Sequence, residues 1–382
     1  MARVLYLYSQ ALRADSPHAR RTFQMLALLR EAGFKPDLLT LPGGDPWPEG
    51  LAERIYVTSR VPFTRTLTPY GFGFRRAWAT FVMALTAVRL SLQHRYDIVH
   101  CSDRAIRVGG LIAWLFGTRF VFEWRSASGY DLVKWARWRS AKFRQSVSLV
   151  LTDTPYTVPQ LRASGLYGKI ASIQSLPLPA LTPLPLPQAR YNTAAQSFHI
   201  TAFSYTDRFQ DLALLRDALP QILRIPNVYI TFVGGSPAAA EQFRVRLLRR
   251  FPHDSIRFTF RPRPSDVTDF TDTITNADLV FLPVTSGAVT PPLLLDIMAS
   301  GRAILATRCP AYTALLNHQN ASLINADVVQ LVEAVQRYVQ SPTRCIEHAQ
   351  AVVETIARER NPAAAIAALR SCYTFILLEP QA

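Results

Sequence analysis

One segment of the chain combines a strand-like run, a loop of small residues and an apolar helix. This segment, Ala277–Thr307, reads ADLVFLPVTSGAVTPPLLLDIMASGRAILAT. Thr290 suits a helix N-cap, and Pro291 is tolerated at a helix start. The free N–H groups and positive dipole end of such a helix bind phosphate. The predicted phosphate-binding residues of this turn are Ser286, Gly287, Thr290, Pro291 and Leu293.

Asp296 is a carboxylate inside this predicted helix, with Leu295 and Ile297 on either side. Because the helix is apolar nearly all round, we expect it to be buried, and a buried carboxylate is costly unless hydrogen bonds satisfy it. Two interpretations stay open from the residues. Asp296 bonds to a neighbouring loop or pairs with Arg302 or Arg308, or it accepts hydrogen bonds from ligand hydroxyls such as those of a ribose.

The same segment resembles the C-domain signature of family-four glycosyltransferases, which have the two-Rossmann GT-B fold. The matching positions are Pro291, Leu294, Leu295, Asp296, Met298, Ala299 and Gly301. The resemblance implies that Asp296 binds the ribose of a nucleotide-sugar donor. The first acid of the family signature, which contacts the transferred sugar, maps to Ala288. Recognition of the donor sugar is therefore expected to differ from the family pattern or to be absent.

Two more loops are candidates for donor binding. Gly234 and Gly235 end a strand and allow close backbone approach to a ligand, although the residues alone favour a tight strand–helix turn. Arg208 falls on the lysine with which the family grips the donor diphosphate; the alternative is a solvated residue at a helix start. No residue matches the upstream arginine of the family, and Arg261 and Arg263 are candidates for that charge.

In the N-terminal half, the candidate catalytic residues are His100, Glu123 and Arg125. His100 ends a strand that resembles the Asp-Val-Val-His strand of the family, and for it a structural role is favoured. Glu123 and Arg125 resemble a Glu-x-Arg motif beside the acceptor site, and the alternative is a surface ion pair.

The loop Ser9–Arg21 follows the first predicted strand. The predicted acceptor-side residues in it are Asp15, His18 and Arg20, and Arg21 is a further polar candidate. Pro17 and His18 replace the Gly-Gly of the family, so close backbone approach is less favoured there. A flexible solvated loop is an equal alternative.

Strand-like and helical runs alternate along the chain, which predicts parallel sheets covered by helices. We expect an α/β protein with two doubly wound, Rossmann-like domains that face a cleft. The predicted N-terminal domain covers residues 1–177, and the C-terminal domain 196–360. Between them lies a linker, 178–195, since five prolines in Leu176–Gln188 disfavour helix and central strand. Residues 361–382 are expected to form a helix that packs back on the first domain.

The net charge of +15 favours an anionic partner. Lys134–Arg144 mixes basic residues with tryptophans, which suits an anionic membrane surface, or else a domain helix with a charged outer face. No RNA- or DNA-binding motif is found, so no nucleic-acid partner is expected. We predict a cytoplasmic protein that is peripheral on the inner face of the membrane. The cysteines are scattered, the N-terminus resembles a strand, and no uncharged apolar stretch reaches about 18 residues.

The resemblance implies a retaining, metal-independent sugar transfer from a nucleotide-sugar to a glycan or lipid-linked acceptor. No cofactor is expected beyond this co-substrate, whose UDP or GDP type stays open. The alternative is a catalytically silent binding or scaffold protein of the same fold, which the Ala288 departure favours.

Overall fold

The computed structural model describes residues 1–12, 17–43, 49–58, 74–102, 105–124, 147–153, 158–163, 169–177, 183–185, 197–206, 209–283 and 292–379. The chain divides into two compact units. The first unit comprises Met1–Ser175 and Pro362–Ala382, and the second comprises Leu176–Asn361.

The first unit is built on a parallel sheet of seven strands in the order β3-β2-β1-β4-β5-β6-β7. Apolar residues such as Leu5, Val99 and Phe120 are fully buried in it, as expected where helices cover a parallel sheet. Its strands are β1 (Arg3–Ala11), β2 (Lys35–Leu41), β3 (Arg54–Val57), β4 (Ile98–Ser102), β5 (Arg119–Trp124), β6 (Leu149–Thr152) and β7 (Lys169–Ser172).

The described helices of the first unit are α1 (Pro17–Glu31), α2 (Phe74–Gln93), α3 (Ile106–Phe116), α4 (Val158–Ala163) and the C-terminal helix α12 (Pro362–Leu378). Helix α12 packs against α1. Arg370 Nε donates to the carbonyl of Ala32 at 3.0 Å, and Tyr373 of α12 reaches the centre of the sheet. Helix α12 therefore belongs to the first unit, although it follows the second unit in the sequence.

The second unit has a parallel sheet of six strands in the order β10-β9-β8-β11-β12-β13. Its strands are β8 (Phe198–Phe203), β9 (Val228–Val233), β10 (Phe258–Arg261), β11 (Leu279–Leu282), β12 (Ala303–Thr307) and β13 (Ser322–Ile324). Its helices are α5 (Ala213–Ile222), α6 (Pro237–Arg250), α7 (Val267–Ile274), α8 (Pro292–Ala299), α9 (Pro310–Thr313), α10 (Val328–Gln340) and α11 (Pro342–Glu359).

Buried clusters lie on both faces of the second sheet. One contains Phe232, Leu305 and Tyr338, and the other contains Phe203, Val280 and Leu295. Along β8–β9 and β11–β12 the strands pair in parallel, so their carboxyl ends share one edge. The prediction of two doubly wound α/β domains is confirmed.

One helical stretch among the described residues, Pro342–Leu378, is long and apolar enough to cross a membrane by length and composition alone. The expectation concerned uncharged apolar stretches of about 18 residues, and Arg370 lies within the apolar part of this one, so the finding does not contradict it. The stretch is interrupted at Arg360 and Asn361, where α11 ends before α12 begins, and the two helices belong to different units.

Candidate functional site

The loop that follows β8 is held in shape by one carboxylate. Asp211, in the short 3₁₀ turn Gln210–Leu212, accepts hydrogen bonds from Ser204 Oγ at 2.6 Å, from the backbone N of Tyr205 at 2.6 Å and from Thr206 Oγ1 at 3.0 Å. Bonds to a charged acceptor are among the stronger ones in proteins. They fix the backbone at the carboxyl end of the first strand of this unit. Sequence reasoning did not single out Asp211, whose partners lie only 5–7 residues away.

Phe209 adopts a left-handed backbone conformation, with φ 57°. This conformation favours glycine. Here the ring of Phe209 is buried and stacks on Phe243, with ring centroids 4.4 Å apart. Burial of the ring offsets the backbone strain. The neighbouring Arg208 lies outside the described residues.

The loop after β9 approaches the loop after β8 very closely at Gly234. A Cβ atom added at Gly234 would lie only 2.7 Å from Ser204 Cβ, so no larger side chain fits without movement. Gly235 has φ 62°, a left-handed conformation. The two glycines that the sequence singled out therefore permit the contact between these two loops.

The loop after β10 joins them through Arg263. Its backbone N donates to Gly235 O at 3.0 Å, and its Nη2 atom donates to Tyr205 O at 3.2 Å. Gly234 N donates to Arg261 O at 3.1 Å. The guanidinium of Arg263 is thus a partly exposed cation where three strand ends meet, which is where open parallel sheets bind ligands.

The end of β11 is tied to the same place. Tyr312 Oη donates to Pro283 O at 2.8 Å and lies 3.1 Å from Tyr205 Oη. Burial raises the pKa of both tyrosine hydroxyls well above the ordinary value for tyrosine, so both are neutral at physiological pH. Neither tyrosine stood out in the sequence.

Helix α8 follows β11 and carries Asp296, whose side chain is only 2% exposed. Leu293 is half-buried at the start of the same helix. The turn before the helix, with Ser286, Gly287, Thr290 and Pro291, lies outside the described residues. The predicted burial of this apolar helix is observed.

In the first unit, Glu123 lies at the centre of a buried network. Arg21 Nε donates to Glu123 Oε1 and Tyr6 Oη donates to Glu123 Oε2, both at 2.8 Å. Arg21 also donates to the carbonyls of Ile173 and Gln174. Both Glu123 and Arg21 are buried. The surface-pair alternative for Glu123 is therefore wrong, and Arg21 does not belong to a solvated loop.

His100 is fully buried beside this network. Its Nε2 atom is 3.4 Å from Glu123 Oε2, and its Nδ1 atom shares a hydrogen bond of 2.6 Å with Tyr373 Oη. The histidine thereby links β4 to the C-terminal helix α12. Its predicted structural interpretation agrees with these contacts. Arg125, Asp15 and the side chain of His18 lie outside what the structure describes, whereas Arg20 is half-buried on α1.

Two family models match the chain. Residues 18–174 match the glycosyl transferase 4-like domain, and residues 198–341 match the glycosyl transferases group 1 model. The two matches together span more than three quarters of the chain. The chain belongs to the group 1 glycosyltransferases. No curated protein matches its sequence significantly.

Solved structures share the GT-B fold of this glycosyltransferase along nearly its whole length. Sucrose-phosphate synthase from Thermosynechococcus elongatus has a TM-score of 0.72 and 16% identity, and covers 98% of this chain and 99% of its own. HepE from Anabaena, in complex with UDP and glucose, has a TM-score of 0.68 and 15% identity, covering 98% and 100%. The catalytic domain of starch synthase IV from Arabidopsis thaliana, bound to ADP and acarbose, has a TM-score of 0.70 and 14% identity, covering 99% and 100%.

The described residues of the glycosyltransferase contain no group of three or more His, Cys, Asp or Glu side chains that could hold a metal ion. The four cysteines are free thiols. Among the described residues where the loops after β8, β9 and β10 meet, Arg263 provides an exposed guanidinium beside the Tyr205 carbonyl.

Proposed function

We propose that this glycosyltransferase moves a sugar from a nucleoside diphosphate sugar to a glycan or lipid-linked acceptor, with retention of anomeric configuration and without a metal ion. The observation that carries the proposal is the meeting of the loops after β8, β9 and β10. There Gly234 allows the loops after β8 and β9 to approach each other closely, and Arg263 offers a cation. A diphosphate leaving group needs such donors, because negative charge develops on it as the glycosidic bond breaks.

Structures of the same fold support a nucleotide ligand. HepE has been solved with UDP and with UDP-glucose, and starch synthase IV with ADP. In the proposed arrangement, Asp296 accepts hydrogen bonds from the ribose, while Arg208, Arg263 and the turn Gly287–Leu293 bind the diphosphate. Ala288 supplies no carboxylate, which agrees with a route in which the donor phosphate itself assists the acceptor. No covalent nucleophile is then needed.

The first unit would hold the acceptor, with Asp15, His18, Arg20 and Arg125 as candidates. Glu123 and His100 take a positioning role in the proposal, since both are buried and bonded to other side chains. Their network fixes the carboxyl ends of β4 and β5 against α1 and α12.

A nucleotide screen tests the donor assignment. UDP, GDP, ADP and CMP are each added to the protein, and the midpoint of thermal unfolding is measured. A nucleotide at 100 times its Kd stabilises the native state by about 2.7 kcal/mol, so one of the four should raise the midpoint. Arg263→Ala should reduce that rise, and Arg246→Ala, an exposed arginine on α6, is the matched control. A rise that is equal in both variants would contradict the role of Arg263.

Contact with a membrane is the second part of the proposal, and it rests on α2 and α3. These two helices pack together and expose Phe81, Leu85, Leu92, Leu111, Trp114 and Leu115. Trp114 is 77% exposed. Neither helix contains Asp or Glu, whereas Arg89 and Arg107 are exposed on them. Apolar and aromatic residues beside arginines suit the interface of an anionic bilayer. The predicted stretch Lys134–Arg144 lies outside the described residues.

Co-sedimentation with vesicles tests this surface. The protein should bind vesicles that contain an anionic phospholipid more strongly than vesicles of phosphatidylcholine alone. The double change Phe81→Ser with Trp114→Ser should abolish most binding, because two large apolar side chains no longer enter the interface. Ile256→Ser, at a side chain that is 85% exposed in the second unit, is the control. Equal binding by both variants would refute the assignment to α2 and α3.

A further inference from the structure

A cavity of about 420 Å³ lies beside β13, the edge strand of the second sheet. Its walls come from α9 and the loop after it, from β13, from the last turn of α10 and from the first turn of α11. Four basic side chains line it: Arg308, His318, Arg337 and Arg344. None of the described residues that line it is acidic. The volume falls in the range of about 300–1,000 Å³ that is usual for small-molecule sites.

Two of the arginines, Arg308 and Arg337, are exposed and have no carboxylate partner among the residues that the structure describes. Arg337 Nε donates to the backbone carbonyl of Glu333 at 3.3 Å. Within the described part of the chain, the side chain of Arg308 makes no hydrogen bond or ion pair. Among the described residues, no acidic side chain is paired with either of these two arginines.

Arg344 is held more firmly. Its guanidinium lies 5.9 Å from the ring centroid of the buried Tyr338. Its Nε atom is buried and has no hydrogen-bond partner among the described residues. Arg344 also stands in the first turn of α11, whose first residue is Pro342. A cation is disfavoured at the positive end of a helix. An anion bound in the cavity would interact favourably with both the Arg344 guanidinium and this helix end.

The walls of the cavity are fixed before any ligand binds. Buried Asn320 donates through Nδ2 to Leu315 O at 3.0 Å and accepts at Oδ1 from the backbone N of Asn317 at 2.8 Å. Arg308 N donates to Ile324 O at 2.6 Å, which fastens the end of β12 to β13. Such preorganisation lowers the entropic cost of binding.

We propose that this cavity binds a phosphate ester of a small polyhydroxylated molecule. Guanidinium groups present paired donors that match phosphate oxygens. Thr313, Asn317 and Ser322 provide polar groups for hydroxyls, and Leu316 and Leu323 provide an apolar wall. This ligand is additional to the proposed nucleotide-sugar donor, whose loops follow β8, β9 and β10, and its binding does not depend on the proposed reaction.

Calorimetric titration of the full chain at low salt tests the site, with ribose 5-phosphate as the probe and ribose and inorganic phosphate as comparisons. Arg308→Gln and Arg337→Gln change exposed side chains, so the fold should persist. Each should raise the Kd for ribose 5-phosphate roughly tenfold, the usual loss for one charge-assisted hydrogen bond. Arg246→Gln, outside the cavity, should leave the Kd unchanged. Ribose should show no measurable binding.

The donor loops bind phosphate in the proposed function, so Arg263→Ala separates the two sites. This variant should keep the affinity for ribose 5-phosphate. Loss of affinity in Arg263→Ala with none in Arg337→Gln would overturn the inference, because the ligand would then occupy the donor loops. Inorganic phosphate that binds as tightly as ribose 5-phosphate would overturn the assignment to an ester. Absence of binding, or binding unaffected by the arginine changes, would overturn the site itself.

Discussion

Replacement of Gly234 by alanine should damage the candidate donor site at its narrowest point. The new Cβ would lie 2.7 Å from Ser204 Cβ, 3.2 Å from Ser204 O and 3.3 Å from the ring of Phe209. Carbon atoms pack at about 3.5–4.0 Å, so the loops after β8 and β9 must separate by about 1 Å. The φ of 157° adds backbone strain.

Overpacking of this kind costs about 1–3 kcal/mol, and a strained backbone adds about 1 kcal/mol. For a unit the size of Leu176–Asn361, each kcal/mol lowers the Tm by about 2–4 °C. We therefore expect the Tm of the second unit in Gly234→Ala to fall by roughly 4–16 °C. Because the same loops hold Arg263, the stabilisation by the best nucleotide should fall too. Differential scanning calorimetry with and without nucleotide measures both effects.

Gly33→Ala is the matched control. Gly33 has φ 91°, but a Cβ there meets nothing within 4 Å, so the change adds backbone strain without a collision. It should lower the Tm less than Gly234→Ala and leave nucleotide stabilisation intact. Equal effects of the two changes would contradict this expectation, because the close approach of the loops after β8 and β9 would then have no energetic consequence.

Two buried polar groups give further predictions. Glu123→Gln leaves Arg21 buried without its carboxylate partner, so urea denaturation should show the first unit destabilised by about 3–5 kcal/mol. Glu123→Gln combined with Arg21→Met should recover part of that loss, because no buried charge is then left unpaired. If the double variant shows no recovery, the ion pair does not explain the loss. Burial, and then the charge of Arg344, lowers the pKa of His348 from 6.5 to about 4. The unfolded chain therefore takes up the proton first as the pH falls, so stability should be constant above about pH 6.5 and decline towards pH 4 by up to about 3 kcal/mol. His348→Gln should remove that slope between pH 7.5 and 4, and an unchanged slope would assign it to other groups.

The sequence predicts elements where local periodicity decides the structure. The sequence predicts helices over Pro362–Leu378 and Val328–Val339. The first is found there, and the second, α10, ends one residue later, at Gln340. Both carry apolar residues at helical spacing. The sequence also predicts a strand over Ile256–Phe260. The observed strand β10 begins two residues later, at Phe258, because Pro252 starts a 3₁₀ turn that ends at Arg257.

The sequence pattern does not predict helix α7, and the reason lies in its composition. Its sequence, VTDFTDTI, is rich in Thr and Asp, which have low helix propensity. Asp266 caps the helix by accepting from the N of Asp269, and Phe270 and Ile274 bury one face. Tertiary packing therefore decides this helix, and its only local signals are the cap and the spacing of two apolar residues.

In the candidate site, too, some residues can be identified from local sequence, whereas others depend on the tertiary structure. Gly234, Gly235 and Arg263 could be singled out from the sequence, because ligand sites in parallel sheets lie at the carboxyl ends of the strands. The partner of Glu123 could not be found, since Arg21 is separated from it by 102 residues and both have several possible partners. Long-range pairing of charges depends on the order of strands in the sheet, which a single sequence leaves open.

Turnover of a donor distinguishes a sugar-transferring enzyme from a catalytically silent member of the family. The protein is incubated with a panel of nucleoside diphosphate sugars and membrane extract, and release of the nucleoside diphosphate and transfer of labelled sugar are measured. Our account predicts that one donor is consumed, and that the double change Arg208→Ala with Asp296→Asn abolishes consumption while Arg246→Ala has no effect. Binding of a nucleotide without turnover of any donor would contradict the account and favour a catalytically silent member of the family.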